Sequence, residues 1–158
     1  MKNAGTAFHE AGHAVVARLC DVAVIRAEAG ETSRVSTHFR LGPSAEEAAA
    51  TLEKLALIDL AGQAAECRWL RGAAWAGDEG NAIARVLRVV CLRRGLPADA
   101  ELDDNVQAEA AELLENLYSA AAQLVEVRWP SIERVAQALD GGRTLDQAAI
   151  DALIGART

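Results

Sequence analysis

Aromatic side chains are scarce in this chain. They make up 4% of its 158 residues, so alanine, valine and leucine must fill most of any core. Lysine is scarcer still: only Lys2 and Lys54 occur, and neither belongs to a Gly-x-x-x-x-Gly-Lys-Ser/Thr loop, which excludes P-loop ATP hydrolysis by these residues. No apolar run approaches the roughly 18 residues that cross a bilayer. The N-terminus has no apolar signal-peptide core, so no membrane segment is expected. Basic excess is missing too. The net charge of -7 argues against nucleic acid or an anionic membrane as the main partner. Cys20, Cys67 and Cys91 are an odd set without a Cys-x-x-Cys pair, and read as reduced, buried thiols of a cytoplasmic protein. Against these absences stand 51% hydrophobic and 25% charged residues, a globular composition. The length suits one domain, expected to cover residues 1–158.

Periodicity divides the chain into mainly helical segments. Phe8, Gly12, Val15, Val16 and Leu19 form the apolar stripe of a helix from about Asn3 or Thr6 to Cys20. Asp21 to Glu28 and Arg34 to Leu41 are β-branched or alternating and flank a turn at Ala29 to Thr32. They predict a two-stranded ribbon, the only sheet expected. Ser44 and Glu47 have capping-box spacing and open a second helix. This helix is apolar nearly all round and is expected to be the buried centre, running to about Arg71 with Gly72 as its stop. Asp78 can cap a third helix that ends at Gly95. A fourth runs from about Asp103 to Trp129, where Pro130 is expected to break or kink it. Ile132 to Leu139 form a short fifth. Thr144 and Gln147 make a second capping-box pattern before the last helix. The expected fold class is therefore mainly α, an array of about six helices with a small two-stranded β-ribbon.

The chemistry concentrates in His9-Glu10-Ala11-Gly12-His13. Residues four apart share a helix face, so the two imidazoles can hold one metal ion, typically Zn²⁺. The intervening Glu10 is then placed to deprotonate a water activated by that ion. The bland alternative is a pair of ordinary helix histidines beside a solvated glutamate. Only three histidines occur in the chain, and two of them fall at this spacing among small apolar residues, which favours the metal. A catalytic zinc usually takes three protein ligands. The third must come from elsewhere, and His38, Asp59, Glu66, Asp78, Glu79 and the cysteines are the candidates. Spacing alone leaves Asp78 and Glu66 nearly even: Asp78 follows a glycine loop, and Glu66 lies on the second helix, where a buried carboxylate needs a partner. Glu66 can also serve by orienting His9 or His13.

Thr6-Ala7-Phe8-His9-Glu10-Ala11-Gly12-His13-Ala14-Val15 resembles the zinc helix of the FtsH-type ATP-dependent metalloproteases. Leu60-Ala61-Gly62-Gln63-Ala64-Ala65-Glu66 resembles that family's Gly-Gly-Arg-x-Ala-Glu helix. Gly77-Asp78-Glu79-Gly80-Asn81-Ala82 resembles its Asn-Asp-Leu-x-x-Ala segment. Trp129-Pro130-Ser131-Ile132 and Thr144-Leu145 look like its terminal helices, so the resemblance spans nearly the whole chain and is strongest at the first motif. It implies an FtsH protease-domain-like fold, with His9, His13 and Asp78 as zinc ligands and Glu10 as general base. Glu66 carries over only as a motif position. Ala61 and Gln63 depart from the family pattern, as does Gly80 in a helix first turn. The resemblance further implies a zinc metalloendopeptidase acting on unfolded or extended polypeptides, independent of ATP within this chain. A separate unfoldase or ATPase is then an implied partner, and a homo-oligomer is compatible with it. An extended peptide could add to an exposed edge of the ribbon. Two rivals stand beside this expectation: a catalytically inactive metal-binding adaptor or regulatory module of the same fold, and a plain helical bundle without metal.

Overall fold

Eleven consecutive residues of the first helix, from Ala7 to Ala17, are buried, the two histidines and the glutamate among them. This helix, α1 (Ala4–Leu19), packs against two other long helices, against both strands of a ribbon and against the last helix. The computed structural model describes residues 4–30, 33–72, 79–97 and 100–155; the side chain of Glu79 is not described. Among the described residues the elements run α1, β1 (Ala23–Glu28), β2 (Arg34–His38), α2 (Ala45–Leu70), α3 (Glu79–Arg93), α4 (Asp104–Asp140) and α5 (Gln147–Ile154). The protein is mainly α with one two-stranded antiparallel sheet, and the described helices number five, not six.

The difference in count lies at Pro130, which sits inside the single helix α4. Proline there removes one N–H and crowds the carbonyl of Glu126, a cost of about 3 kcal/mol in a helix interior. Both residues are exposed, so water can solvate that carbonyl. Val125 on one side of the proline and Ile132, Val135, Ala136 and Leu139 on the other are buried in the same core, which holds the axis together.

The expected buried centre in α2 is joined by α1. α1 is buried without a break from Ala7 to Ala17, and no residue of α2 from Leu55 to Arg68 is exposed, so the two helices share the centre. Close contact between the two depends on glycine. A Cβ at Gly12 would lie 2.5 Å from the Ala61 carbonyl oxygen and 2.8 Å from the Ala65 Cβ. Nearer the N-terminus, the Phe8 ring is stacked between Trp69 of α2 and Trp129 of α4, with centroids 4.3 and 5.1 Å away. Three of the chain's few aromatics thus clamp the turn that carries His9.

The caps explain most boundaries. Ser44 and Glu47 form the reciprocal capping box. Asp103 accepts from the Val106 N–H at the start of α4, and Gly95 (φ 66°) follows α3. At the end of α2 the left-handed residue is Arg71 (φ 52°) and not Gly72. The Arg71 and Gly72 N–H groups close on the carbonyls of Arg68 and Cys67. The cap of α5 is Asp146, which accepts from the Ala149 N–H, so the Thr144–Gln147 box does not form. Gln147 instead accepts from the Val24 N–H through its side chain. Asp78 as cap of α3, Asn3 as a helix start and the Glu31–Thr32 part of the ribbon turn lie outside the described residues.

In the ribbon, Ala23 pairs with His38 and Glu28 with Arg34, and a bulge at Ile25 separates two registers. On the far side of β1, Ala27 exchanges two backbone hydrogen bonds with Leu145. Among the described residues β2 pairs only with β1, so its other edge is open. No described helix is long and apolar enough to cross a membrane. The three cysteines form no disulfide, but only Cys91 is fully buried; Cys20 and Cys67 are half-buried. Burial pushes the Cys20 thiol above its ordinary pKa against a smaller opposing pull from Lys54.

Candidate metal centre

Helical spacing brings His9 and His13 together on α1, each 8% exposed, with Glu10 beside them at 6%. The rings meet edge to face with centroids 4.6 Å apart, and their Nε2 atoms are separated by 2.9 Å. The opposite nitrogens have protein partners. His13 Nδ1 lies 2.7 Å from the Ile58 carbonyl oxygen, which can only accept, so Nδ1 carries the proton and donates. His9 Nδ1 lies 3.1 Å from Glu66 Oε2 and donates to the carboxylate in the same way. With Nδ1 so engaged, both rings turn Nε2 towards the same small region. Lone pairs at that separation repel unless a proton or a cation is shared between them.

This donor set fits a divalent metal. Two nitrogens bound to one zinc at 2.0–2.1 Å in a tetrahedron stand about 3.3 Å apart, close to the 2.9 Å separation here. Space for the second ring exists because residue 62 is glycine: a Cβ there would lie 2.4 Å from His13 Cε1 and Nε2.

The structure separates the candidates for a third ligand. Glu66 stands on the Nδ1 side of His9, away from the converging Nε2 atoms, so its position is that of an orienting group. Asp59 is held 2.7 Å from Arg85 Nε, and His38 is exposed at the end of β2. Asp78 lies outside the described residues. Among those that are described, no group of three His, Cys, Asp or Glu side chains could hold a metal ion.

Beside the histidines is a cavity of about 410 Å³. Glu10 and His13 of α1 line it together with Asp59 of α2, Asn81 and Arg85 of α3, and Arg34, Val35 and Thr37 of β2. The unpaired edge strand thus borders the space that Glu10 and His13 reach. Three features of the site were not anticipated from the sequence. The Ile58 carbonyl is a backbone atom and leaves no signature. The Asp59–Arg85 pair joins two helices 26 positions apart. Gly62 was legible only as one small residue in a run of them.

No protein-family model matches the chain, and no curated protein matches it.

Proposed function

We propose that the chain is a zinc-dependent metalloendopeptidase of the FtsH type, hydrolysing peptide bonds of unfolded or extended polypeptides. The observation that carries this reading is the pair of Nε2 atoms 2.9 Å apart, each ring oriented through its Nδ1, next to a buried glutamate and a cavity bordered by an open strand edge. In this reading His9 and His13 hold the metal with Asp78 as third ligand. A bound zinc supplies Lewis acidity towards a peptide carbonyl and lowers the pKa of water.

The protein's own groups do the rest. An extended peptide adds to the free edge of β2, where backbone hydrogen bonds set its direction and bring a carbonyl towards Glu10 and His13. Glu10 takes a proton from the attacking water and delivers it to the leaving amine. Glu66 and the Ile58 carbonyl keep the two imidazoles in the tautomer that turns Nε2 inward. The 158 residues contain no P-loop, so a folded substrate must be opened by other machinery.

Two measurements test the reading. Protein purified without a histidine tag and supplied with zinc should hold one metal per chain; a value well below one sinks the metal site. Replacing Glu10 by Gln should leave the metal bound and lower turnover of an unfolded casein-like substrate by about 10²- to 10⁴-fold, the usual worth of a general base. Parent-level cleavage by that variant would remove Glu10 from the mechanism. Stoichiometric zinc without cleavage of any unfolded substrate would favour a non-catalytic adaptor instead.

A further inference from the structure

The cavity beside Glu10 and His13 is also lined by two arginines, which the hydrolytic reading does not use. Arg85 extends from α3 into its lining, and two groups hold its guanidinium. Asp59 of α2 accepts from Nε at 2.7 Å. The Phe39 ring, just beyond β2, lies 5.9 Å from the guanidinium carbon on its face. Neither terminal amino group of Arg85 makes a hydrogen bond to a described residue, so the four N–H donors that face a planar oxyanion best are unspent. Arg34 lines the same cavity from the edge strand and forms no ion pair with a described residue; Glu28, opposite it in the ribbon, is engaged by Arg26.

An ion pair whose only task was to tie α2 to α3 would not need to border this cavity. An arginine held by one carboxylate along its Nε edge and by a ring on its face is instead preorganised to take a second carboxylate in a bidentate manner.

Resting on the peptidase reading, we propose that Arg85, assisted by Arg34, is a specificity-determining residue that binds a carboxylate of the extended peptide lying along β2. The chemistry is that of an acidic side chain near the scissile bond or of the chain's own C-terminal carboxylate.

Binding of dye-labelled extended peptides to the full chain, zinc-supplied and carrying Glu10→Gln to prevent cleavage, separates these sources by fluorescence anisotropy. One pair of C-terminally amidated peptides differs by Glu against Gln at a single position, scanned along the sequence. A second pair lacks acidic residues and differs by a free against an amidated C-terminus. A preference of about tenfold for the carboxylate is expected in one pair, the size of a charge-assisted hydrogen bond. The pair that shows it identifies the source. Arg85→Gln should bring that ratio to one, and Arg85→Lys should keep part of it. Asp59→Asn, which keeps the arginine but removes the carboxylate that holds its Nε, should lower the ratio without abolishing it; it serves as the check should the Arg85 variants not fold, and an unchanged ratio would count against the assignment. Equal binding of carboxylate and amide in both pairs by the parent cavity overturns the assignment while leaving peptide binding intact. Absence of binding by every peptide removes the peptidase reading and this inference with it.

Discussion

Replacing Gly62 by alanine should harm this protein although the site is inside a helix, where alanine is normally the better residue. Helix propensity alone favours the change by about 1 kcal/mol. The structure opposes it, because the added Cβ would stand 2.4 Å from Cε1 and Nε2 of His13 and 2.8 Å from Nδ1. Comfortable carbon contacts begin near about 3.5 Å, so the ring would have to retreat by about 1 Å. His13 is almost fully buried, and its Nδ1–H is tied to the Ile58 carbonyl at 2.7 Å, so the ring cannot retreat without breaking that bond. Overpacking of this kind costs about 1–3 kcal/mol. Less the propensity gain, the net expectation is a loss of up to about 2 kcal/mol, read from the urea midpoint at unchanged slope. Metal affinity should fall further. Ligand positions tolerate about 0.2 Å, and losing the partner that orients an imidazole alone weakens binding by about 10–100-fold. Competition with a chromophoric chelator measures this. Gly80→Ala is the control: nothing lies within 4 Å of the added carbon, so stability should hold or rise by up to about 1 kcal/mol with zinc affinity unchanged. A Gly62→Ala protein as stable as the parent and equally tight for zinc would refute the placement of His13 against α2.

Two further outcomes follow from the helix ends and the internal proline. Hydrogen bonds from the Ser44 side chain and backbone hold the Glu47 carboxyl below the usual carboxylate range. A lowered folded pKa gives stability that is fully present above the ordinary glutamate value of about 4.3 and lost as pH falls through the folded value. The difference in urea midpoint between parent and Glu47→Gln should therefore be constant near neutrality and shrink in that acidic window; a pH-independent difference would contradict the capping box. Pro130→Ala should stabilise by about 2 kcal/mol. It removes a helix-interior penalty of about 3 kcal/mol and returns about 1 kcal/mol of unfolded-chain entropy. An unchanged or lower denaturation midpoint would mean that the packing around Trp129 requires the proline.

Local rules located much of this architecture. The apolar stripe of α1, the β-branched and alternating segments of the ribbon, the Ser44–Glu47 box and the Gly95 stop each rest on contacts a few residues apart, so the sequence carries them directly. Local rules misjudged places where distant contacts decide. Pro130 ought to end a helix, yet α4 continues because residues on both sides of it share one core. Thr144 and Gln147 have the right spacing for a box, but Leu145 between them is drawn into a bridge with Ala27, and Asp146 becomes the cap. The small residues around Gly62 signal close packing in α2, but only the fold shows that α1 is the helix that approaches them.

The same division holds at the site. That His9 and His13 would face one point, with Glu10 at their side, follows from the geometry of a single helix and needs nothing beyond the five-residue motif. Which way each ring would turn could not be read there, because the answer lies in an Ile58 carbonyl and a Glu66 carboxylate 45 and 57 positions away. Spacing left Glu66 level with Asp78 as a ligand. The fold puts its carboxylate behind His9, where it can orient the ring but not share its Nε2. The cavity, the open edge of β2 and the Asp59–Arg85 pair belong wholly to tertiary structure, since each brings together residues from helices and strands that no local rule relates.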